Sequence, residues 1–366
     1  IMNLDHCNSH SSFKDKVSMS NLCQEITLPT TPIQDIHDDQ GEIALCILSA
    51  VNVGGLNDLG ELESICDLAV RALEQIIDYQ DYPVKAAEVS TKRRRSLGVG
   101  YIGLAHYLAK NGVKYSDPKA WDLVDRLSEA FQYHLLRASC NIAMEKGKCE
   151  GFDRTKYADG LLPIDHYKKD VDKIVPHKQR MAWESLRKDI AKHGLRHSTL
   201  SAQMPSESSS VVSNETNGIE PPRALLSIKK SKKGPLKQIA PGFPKLKNDY
   251  TLLWDMPDNT GYINVVAMMQ KYFDQAISGN WSYNPTHFDN NEVPLSVMAN
   301  DMLTAYKLGW KTSYYQNTYD FKGDDEDVQP AGLSAVTDTD DGEDVELPET
   351  VNTDIIEGDD CDACTI

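Results

Sequence analysis

The sequence predicts an α/β fold, a mainly parallel sheet with covering helices. Three observations lead there. Residues 43–53 form a mostly apolar run, broken only by Ser49 and Asn52 and closed by Gly54-Gly55. An amphipathic helix follows directly, and strand-like and helix-like patterns then alternate as far as residue 317. A strand buried on both faces reads as a near-continuous apolar run, and strand–helix alternation is what parallel pairing requires.

Residues 1–40 are rich in Ser, Asn, Thr, Pro and Asp, and LPTTPIQD at 28–35 forbids regular helix, so this stretch reads as an extended loop region. After the strand, Leu62, Ile65, Ala69, Leu73 and Ile76 recur every three or four residues on one helical face. A second long helix runs from Ala120 and stops at Gly147, a residue that takes the left-handed conformation at little cost. The pattern then gives a strand at STLSAQMP (198–205), a helix over 264–278, a short strand at WSYNP (281–285), a helix over 295–309 and a strand at WKTSYYQN (310–317). GVGYIG at 98–103 fits G-x-G-x-x-G, but it follows KRRRSL rather than an apolar strand. It therefore reads as small residues that let a helix pack closely, and not as a dinucleotide loop.

A chain of 366 residues with 40% apolar content is long enough to bury one large core or two modest ones. No run reaches the roughly 18 apolar residues of a membrane helix, and the start lacks a charged segment followed by an apolar one, which predicts a cytoplasmic protein. Most of the net charge of −17 sits at one end. Residues 320–366 hold seventeen of the 55 acidic residues and one of the 38 basic ones, leaving the rest nearly neutral. That segment has almost no aromatic residue and too little apolar surface to offset chain entropy, so it reads as a disordered acidic tail after a folded part spanning 1–319. Direct nucleic-acid binding is not indicated. KRRR (92–95) and IKKSKK (228–233) could each meet a phosphate but read more naturally as solvated faces.

The eight cysteines, at 7, 23, 46, 66, 140, 149, 361 and 364, read as reduced thiols open to redox chemistry or plain burial. Cys66, Cys140 and Cys149 lie in or beside helical patterns and read as packing residues. Cys23 stands in SNLCQEI, between Asn21 and Glu25. If that stretch is extended, its period of two puts an amide, a thiol and a carboxylate on one side; a buried structural cysteine remains the plain alternative. In STLSAQMPSESSS a helix can start within Ser206, Glu207, Ser208 and Ser209, where free N–H groups and hydroxyls suit a phosphate or form an ordinary cap. Tyr314 and Tyr315 are adjacent on the last strand, where aromatics are usually packing, and stacked rings would need a strand end or local twist. Cys361 and Cys364 form a C-x-x-C pair on the acidic tail. Zinc would need two further ligands at suitable spacing, and a redox role fits better.

SNLCQEITLPT, GEIALCILSA, HGLRHSTLSAQMPSESSS, NGIEPPR, TAYKLGWKTSYYQNT and the terminal cysteine pair, in this order, resemble the large subunit of class I (aerobic) ribonucleoside-diphosphate reductases over essentially the whole chain. The resemblance implies the second half of a ten-stranded α/β barrel, with a radical-bearing finger loop at about 1–40. It implies that Cys23 is the thiyl radical that takes the ribose 3′ hydrogen, that Glu25 is the general base for the 3′-hydroxyl, and that Asn21 holds a ribose hydroxyl. Cys46 would be one of two cysteines that deliver reducing equivalents; its partner lies on the first half-barrel. Tyr314 and Tyr315 would relay the radical, Ser206 to Ser209 would hold the substrate diphosphate with NGIEPPR nearby, and Cys361 and Cys364 would exchange with the internal disulfide. The spacing of that last pair is tighter than the family's.

The same resemblance implies no cofactor or metal bound by this chain, the radical coming from the metal cofactor of a small subunit. Its partners would be a complementary N-terminal large-subunit fragment, that small subunit, thioredoxin or glutaredoxin, and a nucleoside diphosphate, with no membrane. A cobalamin-dependent reductase would need no tyrosine relay. A simple thiol–disulfide protein would leave SNLCQE unexplained, and a non-catalytic interaction fragment stays open.

Overall fold

The computed structural model describes residues 1–231 and 234–320, and the predicted alternation of strands and helices runs through them. The first forty residues are irregular, with Pro29 and Pro32 barring helix in the last part, apart from a short helix, α1 (Leu4–Ser9). It buries His6 and Cys7 against the Trp310 and Lys311 carbonyls. The apolar run then yields β1 (Ile47–Asn52), followed by α2 (Leu62–Tyr79). The buried face of α2 is Leu62, Cys66, Val70, Leu73 and Ile77. Ile76, assigned to that face from its spacing, is 43% exposed, because the stripe follows the 3.6-residue period through Cys66 and Val70.

Next comes α3 (Lys85–Arg94), closed by Arg95 in the left-handed conformation at φ 49°. KRRR divides: Lys92 is exposed and Arg93 half-buried, as a solvated face would have them, while Arg94 and Arg95 are buried. Arg94 Nη2 lies 2.6 Å from Glu42 Oε2, and Arg95 pairs with Glu74 at 2.8 Å and Asp78 at 2.8 Å. These carboxylates are tens of residues away along the chain, so tertiary pairing decides the outcome.

β2 (Leu97–Ile102) is buried along its whole length and pairs in parallel with β1, from Ile47 opposite Leu97 to Asn52 opposite Ile102. The glycine motif at 98–103 is this strand and its exit, neither a packed helix nor a nucleotide loop. A Cβ at Gly98 would sit 2.8 Å from Cys46 Sγ and 2.6 Å from Leu48 Cδ2, so the bare backbone is what admits those neighbours. After α4 (Leu104–Lys110), the long α5 (Pro118–Lys146) begins with proline in its first turn, where no N–H is missed, and stops at Gly147. Gly147 has positive φ (86°) but extended ψ (157°), so the stop is as predicted and its geometry is not. Phe131 of α5 meets Tyr101 of β2 edge-on at 5.3 Å and stacks near Phe273 at 5.8 Å, an aromatic centre for the core.

Two helices follow, α6 (Pro163–His166) and α7 (Trp183–His193). The predicted strand at 198–205 is a short run of bridges: the Leu97 and Val99 N–H groups donate to Thr199 and Leu200, and Val99 faces Ser201 in parallel. Then come α8 (Glu207–Val212) and an antiparallel hairpin, β3 (Leu226–Ser231) with β4 (Gly234–Ile239), which the lysine-rich pattern did not signal.

α9 (Thr260–Gln270) ends well before the predicted residue 278. Residues 275–278 instead join the ladder, with Gln275 N–H donating to Ser201, Gln203 N–H to Ala276 and Ser278 N–H to Gln203. Their backbone groups are taken by the neighbouring segment, which overrides helical spacing. β5 (Trp281–Tyr283), α10 (Leu295–Lys307) and β6 (Gln316–Thr318) complete the described fold, with β5 and β6 parallel. β1, β2, residues 199–203 and residues 275–278 are therefore successive neighbours. Among the described residues no helix is long and apolar enough to cross a membrane.

Candidate functional site

Residues 21–26 form a tight loop with Cys23 at its tip. The Gln24 N–H donates to the Asn21 carbonyl at 3.2 Å, and the Ile26 N–H donates to Asn21 Oδ1 at 3.0 Å. Gln24 stands at φ 72°, a left-handed position uncommon for a residue with a side chain. The stretch is thus a turn and not extended, and the period of two expected to align Asn21, Cys23 and Glu25 does not operate. Asparagine closes the loop through its own side chain, a local bond that competes with regular structure. Leu22 is exposed, Cys23 half-buried and Glu25 turned inward and buried.

The loop brings the Cys23 thiol 3.5 Å from the Tyr314 hydroxyl. The Tyr314 and Tyr315 rings lie 3.9 Å apart between centroids, tilted by 40°. They stand just ahead of β6, so the pair occupies a strand end, which the stacking of adjacent residues demands. Tyr315 is 55% exposed while Tyr314 is half-buried, so the two rings lead from the surface to the thiol. Burial, then the contacts with Cys23 and Tyr315, push the Tyr314 phenol above the ordinary tyrosine value and keep it protonated.

Cys46 lies immediately before β1, beside Gly98, and Gln275 Nε2 donates to its sulfur at 3.4 Å. Burial drives this thiol up, with the Gln275 hydrogen bond opposing, to about 12. One segment serves both thiols. Gln275 reaches Cys46, while the Ser278 hydroxyl bonds to the Cys23 carbonyl and, at 3.1 Å, to Glu25 Oε2. The Ala276 N–H donates to the Glu25 carbonyl at 3.0 Å, and the Thr27 N–H to Gln275 Oε1 at 3.2 Å. The turn leading into this segment is fixed by Lys311, a fully buried side chain. Its Nζ donates to the carbonyls of Phe273, Asp274 and Gln275 at 3.2, 2.8 and 2.8 Å.

Ser206 is the N-cap position of α8 but makes no side-chain cap bond. Its hydroxyl donates to the Met204 carbonyl at 3.1 Å and its N–H to Asn217 Oδ1 at 3.3 Å, which ties the serine turn to the NGIEPPR segment as the sequence suggested. Glu207, Ser208 and Ser209 are exposed on the first turn. An open cavity of about 320 Å³ runs beside them, lined by Glu207, Glu215, Asn217, Glu220 and Arg223 among others. Asn280 joins this region to the tyrosines: its Nδ2 donates to Glu220 Oε1, and its Oδ1 accepts the Tyr315 N–H at 2.9 Å.

The structure thus gathers Asn21, Cys23, Glu25, Tyr314 and Tyr315 around one loop and sets Cys46 against the same strand segment. Cys361 and Cys364 lie outside the described residues. Cys66, Cys140 and Cys149 are buried packing residues, and Cys7 is buried with its thiol raised to about 11 by desolvation. Gln275, Ser278, Asn280 and Lys311 were missed from sequence. The first two sit in a stretch that reads as helix, where only their polarity among apolar neighbours marks them.

Residues 1–316 match the family model described as ribonucleotide reductase, barrel domain. The chain belongs to this family. It is similar to proteins named ribonucleoside-diphosphate reductase subunit alpha from Buchnera aphidicola subsp. Baizongia pistaciae and from Haemophilus influenzae, each 56% identical and covering 90% of this chain and 44% of that protein. The protein named ribonucleoside-diphosphate reductase 1 subunit alpha from Escherichia coli is 53% identical over 89% of this chain and 43% of its own length. The chain spans somewhat under half the length of these relatives.

Proposed function

We propose that the chain carries the radical and thiol chemistry of ribonucleoside-diphosphate reduction, as the second half of a closed ten-stranded barrel spanning residues 1–319, with residues 320–366 as a flexible redox tail. The observation that carries this reading is the contact between the Cys23 thiol and Tyr314 at 3.5 Å, with Tyr315 stacked behind it at the surface. A radical arriving at Tyr315 passes to Tyr314, whose phenoxyl oxygen takes the Cys23 hydrogen: the S–H bond breaks, the O–H bond forms, and a thiyl remains. That thiyl takes the ribose 3′ hydrogen, since the S–H bond made nearly matches the C–H bond broken. Glu25, held by Ser278, accepts the 3′-hydroxyl proton, and the 2′-hydroxyl leaves as water on taking a proton from the thiol pair to which Cys46 belongs. Asn21 has its carbonyl oxygen engaged by Ile26, which leaves its amide nitrogen to donate to a ribose hydroxyl.

Cys46 supplies one of the two thiols oxidised in each cycle, its partner coming from the part of the relatives that aligns outside this chain. The serine turn Ser206, Glu207, Ser208 and Ser209 takes the diphosphate. Cys361 and Cys364 return electrons from thioredoxin or glutaredoxin by thiol–disulfide exchange. The radical originates at the metal cofactor of a small subunit, and no cofactor is assigned to this chain.

The test is nucleoside-diphosphate reduction by the chain together with the small radical subunit and the remainder of the large subunit. Cys23→Ser abolishes turnover under any reductant. Cys361→Ser with Cys364→Ser abolishes turnover driven by thioredoxin or glutaredoxin and keeps that driven by dithiothreitol, which reaches the internal disulfide directly. Undiminished turnover in Cys23→Ser overturns the reading.

A further inference from the structure

The residue that links the thiol pair to the loop is Gln275, and its amide is oriented without ambiguity. Its oxygen faces the Thr27 N–H at 3.2 Å, a group that only donates, and its nitrogen faces the Leu97 carbonyl at 2.9 Å, a group that only accepts. Reversing the amide would break both bonds, so the network itself fixes which end is which. The nitrogen's remaining hydrogen is then directed at Cys46 Sγ, 3.4 Å away. The side chain is fully buried, and its backbone is immobilised from three sides: its N–H donates to Ser201, and its carbonyl accepts from Lys311 Nζ at 2.8 Å and Gln270 Nε2 at 2.9 Å.

We infer that Gln275 is a positioning residue for Cys46: its amide hydrogen favours the thiolate form of a sulfur that burial would otherwise keep protonated, and its oxygen holds the Cys23 loop in register with that sulfur. This deepens the proposed function, resting on the reading of Cys46 as an electron-delivering thiol. The physical basis is general. The thiolate is the nucleophile in disulfide exchange, and a hydrogen bond to sulfur stabilises the anion more than the neutral thiol. Glu25 and Asp274 face the same sulfur as negative groups and oppose ionisation, so the amide is the favourable neighbour in a site otherwise adverse to charge.

The measurement is the rate at which a small alkylating reagent modifies Cys46 in the full chain, followed by peptide mass spectrometry between about pH 7 and 9, with Cys23 as the internal reference. Below the thiol's pKa this rate is proportional to the thiolate fraction. Gln275→Met keeps the volume but removes both the donor to Cys46 and the acceptor for the Thr27 N–H, and should slow Cys46 roughly three- to tenfold, the worth of one ordinary hydrogen bond, while Cys23, its loop released, does not slow. A side chain that merely filled space would, when replaced, loosen the site and speed both cysteines together. An unchanged or faster Cys46 in a folded Gln275→Met chain overturns the inference. Should that variant not fold, the bond is read from the other side: the Gln275 side-chain amide resonance in wild type should move on Cys46→Ala, and an unmoved resonance overturns the inference equally. Both readings are taken without substrate, so failure of ribonucleotide reduction in the wild-type chain assembled with the small radical subunit and the remainder of the large subunit would sink the proposed function and leave this test standing.

Discussion

The thiol site and the arginine cluster around α3 both tie distant segments together inside the protein, with opposite chemistry. Arg94 and Arg95 are clamped by the carboxylates of Glu42, Asp15, Glu74 and Asp78, and Glu74 is further held by Arg196 and by His197. Around Cys23 and Cys46 the direct bonds come from an amide, a hydroxyl and a phenol, with Glu25 the one carboxylate drawn in. Full charges fix a frame but also set strong local fields; neutral dipoles position groups and leave a sulfur or phenol free to change its protonation or radical state. The frame is held by direct ion pairs, whereas the thiols and the phenol are held by neutral hydrogen-bonding groups with the charges of Glu25, Asp274 and Lys311 one step behind, a division that substitutions can probe.

The largest effect should come from the tyrosines. Tyr314→Phe and Tyr315→Phe each keep ring size and packing but cannot form a neutral phenoxyl, so multiple turnover should fall to assay background with substrate binding nearly intact. Near wild-type turnover in either variant would return that residue to a packing role. Within the frame, Arg94→Met should cost about 3 kcal/mol in chemical denaturation, because it strips the closest partner from the buried Glu42 while Arg93 remains at 3.0 Å. A loss under about 1 kcal/mol would mean that the cluster sets geometry and little stability.

A pH series sharpens the same contrast. Burial alone would raise the Glu74 carboxyl, but hydrogen bonds from His197, Arg95 and Arg196 outweigh it and hold it at about 2, below its ordinary value of 4.5. A depressed folded value means that the stabilisation is complete above pH 4.5 and is lost as pH falls toward 2. Over that window the unfolding free energy should drop by about 3 kcal/mol from this group, and Glu74→Gln should remove that dependence. The smallest effect tests where frame meets site. Gly98→Ala introduces a Cβ 2.8 Å from Cys46 Sγ and should cost roughly 1–3 kcal/mol, with a measurable change in Cys46 alkylation and little in Cys23.

How much of this was legible in the sequence follows the same division. Local periodicity carried α2, α5 and β5, because each buries a stripe or a run of its own residues, and it located α10 and β1; the expected burial of β1 on both faces is not met, since only Val51 is buried and Leu48 is 40% exposed. The motif order carried Cys23, Glu25 and Tyr314, whose grouping the structure supports. Periodicity failed where non-local partners decide. The glycine motif at 98–103 became a strand because Cys46, Leu48 and Ala202 crowd it, and residues 275–278 left the helix because Ser201 and Gln203 claim their backbone. Arg94 and Arg95 turned inward for Glu42 and Glu74, and the 21–26 stretch folded into a turn through Asn21. Apart from the Asn21 turn, which is a local side-chain bond, none of these partners is close enough in the chain to leave a periodic trace.

Lys311 deserves to be considered as a mechanical part. Burial pulls the Lys311 amine down to about 7, and in its protonated form below that pH, with three acceptors at its three corners, it acts as a tripod mount for the seated piece. The tripod stands three residues ahead of Tyr314, and the piece it seats carries Gln275 and leads to Ser278, which grips the Cys23 carbonyl. The phenol and the thiol are therefore referenced to a common datum, and thermal jitter displaces them together. The 3.5 Å contact between the Cys23 thiol and the Tyr314 hydroxyl thus has a lysine behind both of its sides that touches neither atom.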